Sequence, residues 1–197
     1  RIFILFHDCG HNSLFPSLKA NRWVGFFLGI ITFTPSEQWW RTHAIHHATS
    51  GNLDKRGIGD VATWTVAEYK SKTKLQRLGY RLFRNPLVMF GLGPIWMFIM
   101  SHRLPTPFVG KREARFQWLH NLGLAVVIIA LGLTIGWKEY VLVQLPIIWI
   151  GGFVGIWLFF LQHQYEDVYW ADSKEWNYVA SALQGASYYK LPKVLQW

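Results

Sequence analysis

Two neighbouring apolar stretches decide the fold: residues 119–135, LHNLGLAVVIIALGLTI, and residues 140–162, YVLVQLPIIWIGGFVGIWLFFLQ. A helix that crosses a bilayer needs about 20 mostly apolar residues, with roughly 17 as the lower limit, and both stretches reach it. The residues between them, GWKE at 136–139, leave room only for a tight turn. The sequence therefore predicts an antiparallel transmembrane hairpin, in which Pro146 can kink the second helix.

The rest of the composition also favours a membrane protein. Two further apolar stretches, residues 23–35 and 87–100, are too short to cross and predict interfacial or re-entrant helices. Only 16% of the 197 residues are charged, against about 25% in an average soluble domain, and the 12 Trp suit a membrane boundary. We expect one domain, residues 1–197, of an all-α integral membrane protein, with a transmembrane helical hairpin, interfacial helices and a cytosolic helical cap that carries the histidines.

The basic residues are confined to one part of the chain. Of the 20 Lys and Arg, 13 lie between Arg41 and Arg115, whereas the hairpin turn holds only Lys138. Since positively charged loops stay on the cytoplasmic side, we expect residues 7–115 on that side and the hairpin returning there at Gln162. Most of these charges can face water and anionic lipid. A nucleic-acid partner is disfavoured, because the aromatic residues follow the apolar segments and are not interleaved with the basic ones.

Five of the eight histidines form two short clusters. His7 and His11 are four residues apart, which on a helix places both side chains on one face. His43, His46 and His47 form an H-x-x-H-H pattern within roughly a 100° arc of a helix, so all three can aim at one point. Converging neutral imidazoles suit iron, copper, zinc or nickel. The H-E-x-x-H pattern of zinc proteases occurs in neither cluster.

The other three histidines are isolated in sequence. His163 ends the second long helix, and the predicted topology brings it to the same membrane face as the two clusters. Its position leaves two interpretations open, a metal ligand or an interfacial side chain that reaches water. His102 and His120 have no partner at ligand spacing, and we expect both to be structural.

Both clusters resemble motifs of a known family. Residues 7–15, HDCGHNSLF, resemble the first histidine box of membrane-bound fatty-acid desaturases, and residues 43–54, HAIHHATSGNLD, resemble the second. The segments GDV at 59–61, TVAEY at 65–69 and YRL at 80–82 are similar to bacterial omega-6 (delta-12) acyl-lipid desaturases. The similarity continues through residues 162–189 and covers nearly the whole chain.

The resemblance implies an O2-dependent di-iron enzyme that removes two hydrogens from the acyl chain of a membrane lipid. Its cofactor would be two non-haem iron ions. The implied iron ligands are His7, His11, His43, His46, His47 and His163. Candidates to support these ligands are Asp8, Asn52, Asp54, Asp60, Glu166 and Asp167, each of which could instead cap a loop or face water.

The resemblance also implies an external electron donor, because the sequence has no flavin or haem motif. The basic face suits an acidic donor such as a ferredoxin or a cytochrome b5-like protein. We expect a bacterial inner-membrane protein with the boxes on the cytosolic side. The family's third H-x-x-H-H box is expected beyond Trp197, and more transmembrane helices before Arg1, so the 197 residues alone are expected to be inactive.

Two other functions fit the histidines. A histidine-box hydroxylase or ketolase, acting on a carotenoid, alkane or sterol, shares the first hydrogen abstraction, so the boxes alone do not separate it from a desaturase. A membrane module that binds a metal or haem without catalysis is the alternative from another class. The residues flanking the boxes favour desaturation.

Overall fold

Helices make up the regular structure of residues 1–196, which the computed structural model describes apart from the side chain of Leu195. The expectation about the chain beyond Trp197 lies outside the described residues. The helices are α1 (Ile2–Gly10), α2 (Leu18–Ile31), α3 (Ser36–Thr49), α4 (Val66–Ser71), α5 (Lys74–Phe83), α6 (Gly93–Ile95), α7 (Lys111–Ile135), α8 (Trp137–His163) and α9 (Tyr178–Gln184). The π-helical segments Leu87–Leu92 and Trp96–Met100 flank α6, and short 3-10 turns cover Ser101–Arg103 and Lys193–Leu195. Because residues 1–196 contain no β-strand, the prediction of an all-α protein is confirmed.

The two long helices, α7 and α8, have 25 and 27 residues and are apolar enough to cross a membrane. At 1.5 Å per residue, each is about 40 Å long. Their junction is shorter than predicted, because Gly136 alone links them and α8 already begins at Trp137. Gly136 has φ 99°, which glycine adopts at low cost, and this allows a one-residue turn.

The outer ends of this hairpin meet the same helix, α3. Arg112 in the first turn of α7 forms an ion pair with Glu37 in the first turn of α3 at 3.4 Å. His163, the last residue of α8, lies against His46 near the end of α3, with ring centroids 4.8 Å apart. The 14 residues of α3 span only about 21 Å. The hairpin therefore returns the chain to its starting side, as predicted.

The apolar side chains of α7 and α8 face outward. In the most apolar stretch of each helix, only 17% and 6% of the residues are buried. Side chains such as Leu133, Leu142 and Ile147 are more than half exposed. Lipid acyl chains stabilise such a surface, whereas contact with water is unfavourable. The outward surface therefore agrees with an integral membrane protein.

The two shorter apolar stretches also form helices. α2 is about 21 Å long, which is too short to span a membrane. The helical segment Leu87–Arg103 follows α5 at an angle of 59°, either as half of a broken span or as a re-entrant segment. The described chain thus has two helices that could span a membrane, or three if this bent pair is one span. Interfacial or re-entrant placement of the two stretches remains a prediction.

The helices α1, α2 and α3 pack around an aromatic cluster of Phe6, Trp39 and Trp40. Phe6 is fully buried, with its ring 5.2 Å from that of Trp39 and 5.6 Å from that of Trp40. Trp40 Nε1 donates a hydrogen bond to the Phe6 carbonyl at 3.3 Å. The Trp40 indole also covers Gly10 and Gly25, where a Cβ atom would lie 2.2 and 2.4 Å from the ring. This packing holds the two histidine boxes against each other.

Candidate metal centre

Four histidines from α1 and α3 converge on one point. One ring nitrogen from each of His7, His11, His43 and His47 lies within 4.8 Å of all the others. The Nε2 atoms of His7 and His11 are 3.2 Å apart, those of His11 and His43 3.2 Å, and those of His43 and His47 3.0 Å. Each box thus contributes two rings to what we call the four-histidine cluster.

Helical spacing accounts for both ring pairs. His43 and His47 are one turn apart within α3 and lie on one face. His7 lies in the last turn of α1, and His11 caps that helix by donating its backbone N–H to the His7 carbonyl at 3.1 Å. The indole of Trp39, one turn before His43, stacks on the His43 ring at 4.3 Å. Trp39 was not among the residues predicted from the sequence, although its spacing from His43 could have indicated it.

The four-histidine cluster cannot satisfy all its contacts by hydrogen bonds alone. In a neutral imidazole, Nε2 either donates one proton or accepts through one lone pair. The contacts from His7 through His11 and His43 to His47 would require Nε2 of His11 and Nε2 of His43 each to serve two contacts with a single proton or lone pair. A cation among the four nitrogens removes this conflict, because each then offers its lone pair. The residues present therefore fit a metal ion.

Three rings of the cluster, those of His11, His43 and His47, favour the neutral form that a metal requires. Burial, followed by the neighbouring imidazoles, lowers the pKa of His43 from 6.5 to about 2. The same causes lower the pKa of His47 to about 4, and burial lowers the pKa of His11. Metal ligands must be deprotonated, so the folded chain keeps these lone pairs available at neutral pH.

His46 and His163 form a second group beside this cluster, which we call the paired histidines. His46 is buried, and its ring centroid lies 4.8 Å from that of His163. Nδ1 of His46 is hydrogen-bonded to the Asp60 carboxylate, and Nδ1 of His163 donates to the Gly185 carbonyl at 2.9 Å. Because Nδ1 is occupied in both rings, Nε2 is the atom that each can offer to a metal.

The histidines of the second box are therefore divided between two groups. Their sequence pattern had predicted that all three would converge on one point. His43 and His47 belong to the four-histidine cluster, whereas His46 does not. Neighbouring residues are about 100° apart around a helix, which places His46 and His47 at opposite edges of the arc. Their ring centroids are 5.6 Å apart, so the two groups adjoin.

Two of the six predicted supporting residues contact a box histidine. Asp8 Oδ1 lies 3.1 Å from Nδ1 of His7, and Asp60 Oδ1 is hydrogen-bonded to Nδ1 of His46. A carboxylate on Nδ1 selects the tautomer in which Nε2 carries the lone pair, a common arrangement behind metal-bound histidines.

The other four predicted supporting residues lie in loops. Asn52 is buried and accepts a hydrogen bond from the Ser173 hydroxyl at 3.1 Å, while Asp54 accepts one from the Ser173 backbone at 2.8 Å. Both thus anchor the segment after α8 to the loop after α3. Within residues 1–196, no hydrogen bond joins Glu166 or Asp167 to a histidine, and Asp167 sits in a left-handed turn with φ 62°. The structure gives none of the four a contact that would support a metal ligand.

Two further residues of the site were missed from sequence. Phe159, one turn before His163, has its ring 5.3 Å from that of His46 and 5.0 Å from that of His163. Its helical spacing could have indicated it. No sequence signal could have indicated Gly185, because only the tertiary fold brings its carbonyl to His163.

His102 and His120 lie outside both groups. Nδ1 of His102 is 3.4 Å from the Phe33 carbonyl, and His120 is buried with its ring edge-on to Phe26. These packing positions agree with the structural role expected for both.

An open cavity of about 270 Å³ borders the four-histidine cluster. Its lining includes His11, His43 and His47, together with Trp40 of α3 and Tyr178 of α9. A metal held by the cluster is therefore reachable from outside the protein.

Known proteins resemble this chain over its whole length. A fatty acid desaturase family model matches residues 1–197. A fatty acid desaturase of Bacillus subtilis (strain 168) is 47% identical over 100% of this chain and 56% of its own length. The sn-1 acyl-lipid omega-3 desaturase (ferredoxin) of Synechocystis and the sn-1 oleoyl-lipid 12-desaturase of Arthrospira platensis are each 28% identical, over 92% and 93% of this chain and 52% of their own lengths. The chain thus spans about half the length of the curated relatives it matches.

Proposed function

Because the chain belongs to the fatty acid desaturase family, we propose that residues 1–197 are part of a single desaturase domain that introduces a cis double bond into the acyl chain of a membrane lipid, using O2. The observation that carries the proposal is the pair of adjoining histidine groups at the open end of a hairpin whose two helices are apolar enough to span a membrane. The names of the Synechocystis and Arthrospira relatives support a lipid-linked acyl substrate.

The cofactor we propose is two non-haem iron ions. Together with O2 they would supply the oxidising power to break an unactivated C–H bond, which no side chain possesses. The all-nitrogen donor set and the unresolved hydrogen bonding of the four-histidine cluster support a metal there. The proposed ligands are His7, His11, His43, His46, His47 and His163.

The chain's own residues position and shield the ligands. Asp8 and Asp60 hold Nδ1 of His7 and His46, which turns Nε2 of each ring toward the metal. Trp39 covers one face of His43, and Phe159 packs against His46. These aromatic rings cover one side of His43 and His46, whereas His11 and His47 stay exposed beside the open cavity.

We propose that electrons arrive from a ferredoxin or a cytochrome b5-like protein on the cytosolic side of a bacterial inner membrane. The name of the Synechocystis relative includes ferredoxin, and the Bacillus relative is bacterial. The 13 basic residues between Arg41 and Arg115 support both a cytosolic location and an acidic donor.

The test is to express the complete gene in a host that lacks polyunsaturated lipids and to profile its fatty acids. New dienoic lipids are expected, and they should disappear in the His46→Ala variant. The matched control is His102→Ala, which removes a histidine outside both groups. Immunoblots of the membrane fraction would confirm that both variants accumulate.

Other outcomes would contradict the proposal. Hydroxylated or keto products without new double bonds would indicate a hydroxylase or ketolase. An unchanged lipid profile with confirmed expression, together with purified protein that contains haem or no iron, would indicate a non-catalytic module.

A further inference from the structure

Helix α5 presents its apolar side away from the protein. Leu75, Leu78 and Leu82 recur at the spacing of one helical face. Their side chains are 77%, 45% and 53% exposed, and we call them the leucine stripe. In a helix packed on a soluble protein, such a stripe faces the core. Here the described part of the chain leaves the leucine stripe largely exposed.

The opposite, polar side of α5 is the one that the protein covers. The Tyr80 ring stacks on the Trp64 ring at 4.4 Å, and its hydroxyl accepts a hydrogen bond from the Trp64 backbone N–H at 3.2 Å. Arg84, which caps α5, donates to Gln164 Oε1 at 2.9 Å, next to His163. These contacts fix the rotation of α5 about its axis, so the outward direction of the leucine stripe is set by the fold.

Basic side chains border the leucine stripe along one edge. Lys74 and Arg81 lie about 40° and 60° from Leu78 around the helix axis. Both are exposed, and neither forms an ion pair within residues 1–196. An apolar stripe with a basic border is typical of helices that lie in the interface of a membrane with anionic lipid.

The leucine stripe is followed along the chain by the apolar helical segment Leu87–Arg103. The chain leaves α5 through a 59° bend and enters Leu87–Arg103, the apolar helical segment that lies beside α8. Leu87 and Trp96 of that segment are 82% and 65% exposed. The exposed apolar surface of α5 is thus followed along the chain by a second exposed apolar surface.

We propose that α5 is a membrane-surface anchor: it lies in the plane of the cytosolic leaflet, inserts the leucine stripe among acyl chains and binds anionic lipid phosphates through Lys74 and Arg81. The occupant of this face is the bilayer that the hairpin crosses, because charge complementarity and the adjoining apolar segment both point to it. The anchor does not depend on the proposed desaturase activity.

The insertion is tested by spin labels on single cysteines in the complete protein, reconstituted in nanodiscs. The label on Leu78→Cys should be more accessible to O2, which concentrates in the bilayer, than to a water-soluble nickel chelate. The matched control is Gln76→Cys, an exposed site on the same helix about 160° away, where the order should reverse. The unsubstituted protein gives the labelling background, which includes the buried Cys9.

Two outcomes would overturn the proposal that the leucine stripe inserts into the membrane. Preferential access of the nickel chelate to Leu78→Cys would place the stripe in water. An immobilised label that neither reagent reaches would mean that another protein segment covers it.

The charge contribution is tested with nanodiscs of phosphatidylcholine alone or mixed with phosphatidylglycerol. The label on Leu78→Cys should gain O2 accessibility in the anionic discs, and Lys74→Gln with Arg81→Gln should abolish that gain. Lys138→Gln, at the far end of the hairpin, is the control and should keep it. Equal accessibility in both lipid mixtures would refute binding of anionic lipid by these two side chains.

Discussion

At the residue scale, the two carboxylates that contact histidines of the proposed metal centre differ in their exposure to water. The Asp60 and His46 side chains are 10% and 3% exposed, whereas Asp8 and His7 are 39% and 35% exposed. A hydrogen bond between charged or polar groups is stronger where water is excluded. Asp60 should therefore fix the orientation and tautomer of His46 more strongly than Asp8 fixes those of His7.

Replacing Asp60 by Asn is expected to lower iron affinity or activity about 10-fold or more, within the 10- to 100-fold range typical of groups that orient metal-bound histidines. Asp8→Asn should have a smaller effect because its pair is solvated. Asp54→Asn, which alters only the contact with Ser173, is the control. Competition with a chelator measures the affinities, and similar losses in all three variants would contradict this ranking.

The depressed pKa values of His43 and His47 predict that the metal-free protein loses stability in acid. In the unfolded chain both rings take up protons near pH 6.5, whereas in the folded chain they do so only near pH 2 and pH 4. Protons thus favour unfolding, and the stability should fall as the pH drops from 6.5 to 4. The unfolding midpoint in detergent micelles measures this. The double variant His43→Gln with His47→Gln should show a shallower slope, and an unchanged slope would contradict the assignment.

At the element scale, the two boxes meet because α3 packs closely against glycines of α1 and α2. Gly25 allows the Trp40 indole to lie against α2, and that indole also contacts Gly10 in α1. Neither glycine has a positive φ, so the requirement is for space and not for an unusual backbone. The histidine spacing within each box is local, but the distance between boxes depends on this packing.

Substituting Gly25 by Ala is expected to destabilise the protein by about 1–3 kcal/mol, because the added Cβ atom would overlap the Trp40 ring. Gly79→Ala in α5 is the control, since no heavy atom lies within 4 Å of its Cβ position. That change should be neutral or stabilise by roughly 0.5–1 kcal/mol through helix propensity. Thermal unfolding in micelles compares them, and equal effects would argue against tight packing at Trp40.

At the scale of the whole molecule, the hairpin brings together the paired histidines, His46 and His163. It carries His163 across the membrane and back, 116 residues after His47 along the chain, and places its ring against His46. It also leaves the strongly basic segment on the side of the proposed metal centre. Electron delivery and lipid contact are therefore expected to share one membrane face.

Turnover supported by the protein donor is expected to fall roughly ten-fold or more with added salt, because steering between opposite charges is screened. The screening length shrinks from about 10 Å at 0.1 M to about 3 Å at 1 M ionic strength. Turnover driven by a small neutral mediator is the control and should change little. A donor-supported rate that is insensitive to salt would count against docking on the basic face.

Local patterns in the sequence determined the apolar helices, the membrane hairpin and the two histidine boxes, because hydrophobic length and helical spacing act within one segment. They also indicated His163 as a candidate and Asp8 beside His7, which are near the boxes in sequence or in predicted topology. Only the tertiary structure decided that the second box divides between two groups and that Asp60 supports a histidine while Asp54 does not. The orientation of each side chain there depends on what packs against it from a distant segment, and spacing along the chain carries no information about that.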